Sequence, residues 1–231
     1  MPGIDGQWPG YLLERAAQAP PDASCVVPGS TPVVSFGHPL NPKVATLGIN
    51  PSSAEFLGKH KELLVGVKRR LATLSSIGAP SHSDIDQAKA SAIIDDCASY
   101  FERRPYWWFK PLDKILISGL GVSYFHTTAC HLDLVQWATK PVWKDLSREQ
   151  QTCLLDGDRD FLIRQLRHEG YEVVVVAGRT ALGWVEKAEL VRWDPVDSID
   201  DVPRTTFYLG RSDGPLFVAW SCNVQSQPGA R

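Results

Sequence analysis

The sequence predicts an α/β protein, in the form of a three-layer α/β/α sandwich with a central, mostly parallel four-stranded sheet. Two observations predict this class. Strand-like apolar runs alternate with longer helix-like stretches, and a hydrophobic content of 43% is enough for a full core. The predicted strands span residues 44–49, 124–130, 171–177 and 216–220. Such alternation is typical of a parallel sheet covered by helices on both faces.

The length and composition fit a single domain over residues 1–231. Residues 1–42 are rich in proline and glycine, and we expect them to form an irregular N-terminal extension with one short helix at 11–18. The sequence shows no internal repeat and no low-complexity tract. All further elements therefore belong to one α/β unit.

Most of the predicted helices begin or end at a recognisable signal. The predicted helices span residues 59–74, 85–101, 148–168 and 178–187, together with a stretch that ends at Gly119 or Gly121. Ser83 is expected to cap the second of these, and Gly170 to end the helix at 148–168. An acidic linker at 194–201 precedes a β-like run at 205–209.

Charge and motif content argue against several functional classes. With a net charge of -2, any contact with nucleic acid must come from a local basic patch and from backbone donors. The five cysteines form no CxxC pair, which disfavours a zinc ribbon, and unpaired thiols suit the cytoplasm. No signal peptide or long apolar run is present, so no membrane contact is expected. His126 and His131 lack a matching carboxylate motif, so neither a metal nor a cofactor is expected.

The strongest signal for function is the segment Gly48-Ile49-Asn50-Pro51-Ser52, which follows the first apolar run. Glycine permits a close backbone approach, and an asparagine amide can hold a water as both donor and acceptor. Proline removes one backbone donor and stiffens the turn. These properties suit one wall of a rigid pocket, and the alternative is an ordinary Asx turn.

Polar side chains follow all four predicted strands. Because ligand sites of parallel sheets lie beyond the carboxyl ends of the strands, these segments are expected to form one pocket. The segments are GINPSSAEF, CHLDLVQW, GRT and SCNVQS. Asp133 in the second segment lies between apolar neighbours, where a carboxylate is costly to bury without a partner. It is expected to accept hydrogen bonds from a ligand, or otherwise to cap a short turn.

Several further features have both a binding and a structural interpretation. Phe56 would stack on a flat ring or pack in the core. Arg179 begins a helix N-terminus that suits a phosphate, as ordinary strand–helix turns also do. The aromatic segment 106–109 would line the pocket, although helix packing is the favoured interpretation. Polar residues after the last strand suit contacts to a phosphate or a base edge, or else form a polar tail. These are Asn223, Gln225 and Ser226.

These motifs and their order resemble the uracil-DNA glycosylase superfamily, most closely its mismatch-specific and single-strand-selective branches. GINPS at 48–52 looks like the first motif of that superfamily. LDLV at 132–135 looks like the segment that carries the base-recognising residue, which is usually asparagine. NVQSQPG at 223–229 lies where the superfamily has its second motif, the DNA-intercalating loop. The resemblance extends from Val44 to Gly229.

The resemblance implies a monofunctional DNA glycosylase that acts, as a monomer and without a cofactor, on a nucleotide extruded from DNA. Asn50 would hold the hydrolytic water or stabilise the sugar cation, and Asn223 would help the leaving base. Ile49, Phe56 and Asp133 would contact the base. A further set of residues would contact the DNA. These are Pro51, Ser52, Arg179, Gln225 and Ser226, supported by Lys59, Lys68, Arg69 or Arg70.

The chain departs from the superfamily pattern in three places. The second motif lacks the usual histidine, the base-recognising position is Asp133, and the chain stops at Arg231, where a final helix would be expected. An ionised Asp133 only accepts hydrogen bonds, which suits the N4 amine of cytosine better than the O4 carbonyl of uracil. The expected base is therefore a cytosine modified at C5, such as glucosylated hydroxymethylcytosine, with antiviral defence as the implied role.

Three alternatives remain open from the sequence. The chain could repair uracil or another deaminated base, or it could bind nucleic acid on the same fold without catalysis. It could also hydrolyse free nucleosides, in which case no phosphate contacts would be needed and the surface around the pocket would be neutral. The missing histidine favours the non-catalytic alternative, whereas Asn50 and Asp133 disfavour it.

Overall fold

The structure, a computed structural model, describes residues 8–196, 205–212 and 214–222. Its α-helices are α1 (Gly10–Ala17), α2 (Gln87–Ala98), α3 (Lys110–Leu120), α4 (Arg148–His168) and α5 (Arg179–Lys187). Its strands are β1 (Val44–Gly48), β2 (Ala129–Asp133), β3 (Val173–Ala177), β4 (Arg192–Val196), β5 (Phe207–Arg211) and β6 (Leu216–Trp220). The α/β class predicted from the sequence is therefore confirmed. The predicted site residues Asn223, Gln225 and Ser226 lie outside the described residues.

The strands form one six-stranded sheet in the order β2-β1-β3-β6-β5-β4. The first four strands in this order are parallel, whereas β5 and β4 are added in antiparallel orientation. The predicted count of four is thus too small. The β4 strand was hidden from sequence analysis because it contains Pro195 and is exposed, as befits an edge strand, and its sequence merges with the acidic linker.

Two hydrophobic clusters lie on the two faces of the sheet. Alternate residues of a strand point to opposite faces, so Val44 belongs to one cluster and its neighbour Ala45 to the other. Residues of α2 and α3 complete the first cluster, and residues of α4 and α5 complete the second. Helices therefore cover both faces of the parallel strands, and the carboxyl ends of these strands remain available for a site.

The second strand lies later in the chain than the predicted 124–130. It occupies Ala129–Asp133, because the Asp113 carboxylate accepts the backbone N–H of Tyr124 at 2.8 Å and holds the preceding residues in a turn. As a consequence Asp133 is the last residue of a buried strand rather than part of the loop beyond it. Its side chain is thereby fixed in position by the sheet.

The predicted helix at 59–74 is wrong. This region forms a loop with a short 3-10 turn at Gly66–Lys68. The chain reverses at its start, where Gly58 N–H donates to the Glu62 carbonyl at 2.8 Å and Lys61 adopts a positive φ of 66°. A helix cannot pass through such a turn, so the basic residues of this region project from a loop.

The other predicted helices are confirmed with small shifts of their ends. The helix at 148–168 begins at a capping box between Ser147 and Gln150, which satisfies two backbone donors at once. The helix predicted at 85–101 is shorter, and it is capped by Asp86 rather than by Ser83. Local signals of this kind depend on neighbouring residues alone, which is why the sequence reveals them.

The described part of the N-terminal extension is built into the core. Phe36 and His131 exchange backbone hydrogen bonds of 2.8 and 2.9 Å, so the extension covers the outer edge of β2. Arg15 of α1 is buried against α4. The described residues before β1 contain few regular elements, as expected, but they pack against the rest of the fold.

Two general expectations can be compared with the described residues. The buried Cys25, Cys97 and Cys130 and the exposed Cys153 are free thiols, as the sequence predicts. No helix in the described ranges has both the length and the apolar character that crossing a bilayer requires.

Candidate functional site

A cavity of about 650 Å³ lies at the carboxyl ends of β1, β2 and β3. Residues 47–53 form the wall that follows β1, and residues 177–181 form the wall that follows β3. The end of β2 contributes His131 and Asp133. The structure thus brings six predicted site residues to one cavity. These are Ile49, Asn50, Pro51, Ser52, Asp133 and Arg179.

The side chain of Asn50 is held by its amide nitrogen. This nitrogen donates to Thr139 Oγ1 at 3.1 Å and faces the carbonyl oxygens of Pro51 at 3.1 Å and Trp137 at 3.3 Å. The side-chain carbonyl oxygen of Asn50 has no hydrogen-bond donor among the described residues. Asn50 therefore offers the cavity a fixed acceptor, which can orient a water molecule or a ligand donor.

Asp133 presents a buried carboxylate to the same cavity. The residue is 5% exposed, and its Oδ1 lies 3.4 Å from Nε2 of His131. Its second carboxylate oxygen has no partner among the described residues, and the side chain caps no turn there. Because a buried carboxylate without full pairing is costly, the geometry favours the ligand-binding interpretation over the capping one.

Gly48 leaves space for the side chains of Asp133 and His131 on the neighbouring strand. It pairs in register with Asp133 across β1 and β2. A Cβ atom at Gly48 would lie 2.5 Å from Asp133 Oδ1 and 2.9 Å from His131 Nε2. Glycine in the first motif is thus required by close approach of side chains from the neighbouring strand.

A chain of hydrogen bonds fixes the His131 ring. The Tyr124 hydroxyl lies 2.6 Å from Thr46 Oγ1, which in turn lies 2.6 Å from His131 Nδ1. These two contacts alone allow either donor order. The order in which Tyr124 donates to Thr46 and Thr46 donates to Nδ1 leaves the proton on Nε2, which suits the Asp133 carboxylate that this nitrogen faces.

Glu55 is a second buried carboxylate in the cavity wall. It is 3% exposed, and its Oε2 accepts the Tyr100 hydroxyl at 2.7 Å. Burial raises the pKa of Glu55 to about 7, and the charge of Asp133 adds to this, while the hydrogen bond from Tyr100 and the charge of Arg70 oppose it. Glu55 can therefore hold or release a proton near neutral pH.

The cavity walls are aromatic, but Phe56 is not part of them. Phe56 is 1% exposed in the core and does not line the cavity, so its predicted contact with a base is not supported. The physical reason is the 3-10 turn at Ser53–Glu55, which directs Phe56 inward. Other aromatic side chains line the cavity instead, including most of the segment that we expected to serve for helix packing. These are Phe36, Tyr106, Trp108, Phe109 and Trp143.

The rim of the cavity is basic on one side. Arg179 and Lys144 are exposed there, and the backbone N–H groups of Thr180 and Ala181 have no acceptor among the described residues. The N–H groups of Gly178 and Arg179 are not available, since they donate to the carbonyls at the end of β6. The predicted anion site at this helix start thus retains two backbone donors and two cationic side chains.

The four basic residues expected to support DNA contacts differ in their surroundings. Arg69 pairs with Asp96, and Arg70 donates to the Ala54 carbonyl at 2.6 Å, so both are engaged within the protein. Lys59 and Lys68 are exposed and form no ion pair with a described residue. Of these four residues, the two lysines are therefore the ones that remain fully available to a polyanion.

Sequence analysis does not identify Glu55 or His131 as site residues. Glu55 lies inside the segment GINPSSAEF, but its burial depends on Tyr100, 45 residues further along the chain. His131 alternates with Asp133 along β2, and this period of two would have placed both on one face had the strand been assigned correctly.

Comparisons with known proteins add no family assignment. No protein-family model matches this chain, and no curated protein matches it. In the described residues, no group of three or more histidine, cysteine, aspartate or glutamate side chains is arranged to hold a metal ion. The function must therefore be argued from the cavity itself.

Proposed function

We propose that the protein is a DNA glycosylase, which binds an extruded base in the cavity and hydrolyses its N-glycosidic bond. The observation that carries this proposal is the convergence of Asn50, Asp133 and Glu55 in one aromatic-walled cavity at the sheet edge. A volume of about 650 Å³ lies in the usual range of sites for small ligands. A base taken out of the stack needs such a pocket, with stacking surfaces and polar groups for its edge.

In the proposed reaction Asn50 positions the water. Its fixed carbonyl oxygen accepts a hydrogen bond from the water, which adds to C1′ of the sugar as the C1′–N bond breaks and its electron pair passes to the base. A neutral amide takes up a proton poorly, so stabilisation of a cation-like sugar must contribute most of the acceleration. The water releases one proton, which balances the proton gained by the base.

Glu55 is the group that we propose to assist the leaving base. In its neutral form the carboxyl can donate a hydrogen bond or a proton to the departing base, while Tyr100 holds the other oxygen. This role would compensate for the histidine absent from the second motif. His131, fixed by Thr46, would orient the Asp133 carboxylate rather than act on the substrate directly.

Asp133 supports a cytosine derivative as the base. As an ionised carboxylate it only accepts, and acceptance from the N4 amine of cytosine is an established pairing. The O4 carbonyl of uracil would meet it with a like partial charge. Unmodified cytosine would be a harmful substrate, so we propose that a group at C5 is also required, as in glucosylated hydroxymethylcytosine. Excision of such a base would suit defence against a phage with modified DNA.

The rim favours a polymeric substrate over a free nucleoside. Lys144 and Arg179 stand at the opening, and Thr180 and Ala181 add two backbone donors, which suits phosphates on either side of the flipped nucleotide. With three to five phosphate contacts, the logarithm of affinity should fall with the logarithm of salt at a slope of about -3 to -5. Affinity that does not change with salt would favour a hydrolase of free nucleosides.

The test is single-turnover excision from oligonucleotides that carry uracil, cytosine, hydroxymethylcytosine or glucosylated hydroxymethylcytosine, detected by alkaline cleavage at abasic sites. Asn50→Ala should reduce the rate by about 10²-fold or more, the effect of losing one positioned polar group. Asn41→Ala, at an exposed position, is the matched control. DNA binding without excision of any base would favour the non-catalytic alternative, and preference for uracil would favour repair.

A further inference from the structure

The loop at residues 59–70 presents two valine side chains to solvent. Val65 is 66% exposed and Val67 is 87% exposed, the highest values for large hydrophobic residues in the described ranges. Gly66 between them has a φ of +56°, and no atom lies within 4 Å of the position that a Cβ would take. The tip of the loop therefore stands clear of the protein and leaves apolar surface available to a partner.

The base of this loop is held firmly. The Leu64 N–H donates to the Phe56 carbonyl at 2.8 Å, and Leu57 and Leu63 form a bridge between the two sides. At the other end the Arg70 guanidinium donates to the Ala54 carbonyl at 2.6 Å. Because the loop is already ordered, binding of a partner to the tip does not require a large loss of loop entropy.

The loop lies next to the cavity. The Arg70 guanidinium stacks 5.2 Å from the ring centre of Tyr106, which lines the cavity wall. A shallow groove of about 510 Å³ continues from Leu64 and Lys68 to Arg104 and Pro105, the residue before Tyr106. A strand whose nucleotide enters the cavity can extend along this groove, and two of the groove residues, Leu64 and Lys68, flank the valine tip in the chain.

The flanks of the loop are basic. Lys59, Lys61 and Lys68 are exposed, and none forms an ion pair with a described residue. Lys61 has a φ of +66°, a conformation in which lysine is uncommon and glycine or asparagine is favoured. A charged side chain thus lies beside the apolar tip, at a position where the backbone would favour another residue. Cations next to aliphatic side chains suit a partner with phosphates outside and stacked bases within.

We propose that Val65 and Val67 form a wedge that inserts between base pairs of duplex DNA beside the nucleotide held in the cavity, with the three lysines on the neighbouring phosphates. This segment differs from the loop at 223–229, to which the family resemblance assigns intercalation. The inference rests on the proposed function for the presence of DNA, but insertion and excision are separate events and can be measured separately.

The experiment uses a duplex with a stable abasic-site analogue and 2-aminopurine as the adjacent base, whose fluorescence rises when it is unstacked. We expect the full chain to raise the fluorescence, and the double variant Val65→Ser/Val67→Ser to lose the rise and to bind about 10-fold more weakly, as the loss of a buried aliphatic contact predicts. Ile117→Ser, at a position 49% exposed on α3, is the matched control and should behave as wild type.

Three results would overturn the proposal: no binding of the duplex by wild type, wild-type fluorescence and affinity in the double variant, or valine-dependent binding to phosphatidylserine vesicles in place of DNA. Because the duplex contains no base to be excised, this readout does not depend on glycosylase activity. Failure of excision with an intact fluorescence signal would therefore overturn the proposed reaction and leave the wedge supported.

Discussion

Two regions of this molecule bury carboxylates, and they differ in what faces those groups. In the first region, between α1 and α4, Asp158 accepts the Arg15 guanidinium at 2.5 Å and the Gln136 backbone N–H at 2.6 Å. In the second region, the cavity, Asp133 faces an imidazole at 3.4 Å and Glu55 accepts a tyrosine hydroxyl at 2.7 Å. No lysine or arginine side chain bonds to either cavity carboxylate in the described residues.

The pKa values follow from these partners. Burial raises the pKa of Asp158 to about 6, with Arg15 opposing the rise, so Asp158 is ionised and paired at neutral pH. Burial raises the pKa of Glu55 to about 7, and Asp133 adds to it. Burial alone therefore does not separate a functional carboxylate from a structural one. A carboxylate whose hydrogen-bonding capacity is only partly satisfied, beside an open cavity, is the better indication of function.

The largest effect that tests this comparison is expected from Asp133→Asn. If Asp133 recognises the base, the ratio of excision rates between cytosine derivatives and uracil should fall by about 10⁴-fold, the discrimination that an unpaired buried polar group provides. The free energy of unfolding should stay within about 1 kcal/mol of wild type, since Asp133 faces the His131 imidazole at 3.4 Å rather than a lysine or arginine, and the asparagine amide oxygen can still accept from it. The oligonucleotide panel and urea unfolding measure the two quantities.

The control for this variant is Asp145→Asn, at an exposed position after β2 that does not line the cavity. It should change neither selectivity nor stability. If Asp133→Asn left the choice of base unchanged and instead destabilised the fold, Asp133 would be a structural residue of the same kind as Asp158.

The opposite pattern is expected from Asp158→Ala. Removal of one partner from a buried ion pair leaves Arg15 as an uncompensated charge, which typically costs about 3–5 kcal/mol of unfolding free energy. Urea unfolding measures the loss, and Asp156→Ala, exposed on the same helix, should stay within about 0.5 kcal/mol of wild type. A stable Asp158→Ala protein with altered base selectivity would remove the distinction between the two regions.

The difference between these regions also marks the limit of sequence analysis. The helix at 148–168 is predictable because its cap, Ser147, and its stop, Gly170, are local signals. The apolar runs at 44–49 and 171–177 identify two buried strands for the same reason. Asn50 and the first motif follow from their position directly after such a strand.

The remaining features depend on contacts between distant parts of the chain. The start of β2 is set by the bond from Tyr124 to Asp113, and without it the strand is placed five residues too early. The family resemblance implies that Phe56 contacts the base, yet a single 3-10 turn directs it into the core. Glu55 is in the wall because Tyr100 holds it there. No local pattern reveals such partners.

The smallest effect concerns the proton on Glu55. Since its pKa in the folded protein, about 7, exceeds the value of 4.5 expected without burial, folding favours the protonated form. The stability that this group contributes is therefore fully present below about pH 4.5 and is lost as the pH rises through about 7.

If the neutral carboxyl assists the leaving base, excision should decline over the same upper range, by about 10-fold between pH 6 and pH 8. Glu55→Gln keeps the shape of the side chain and cannot titrate, so its rate should be lower at pH 6 and flat with pH. Glu102→Gln, which is exposed, should keep the wild-type profile. The measurement is the single-turnover rate across this range at fixed ionic strength. A wild-type profile in Glu55→Gln would assign the titration to another group and would place Glu55 with Asp158, as a carboxylate that is buried for structure alone.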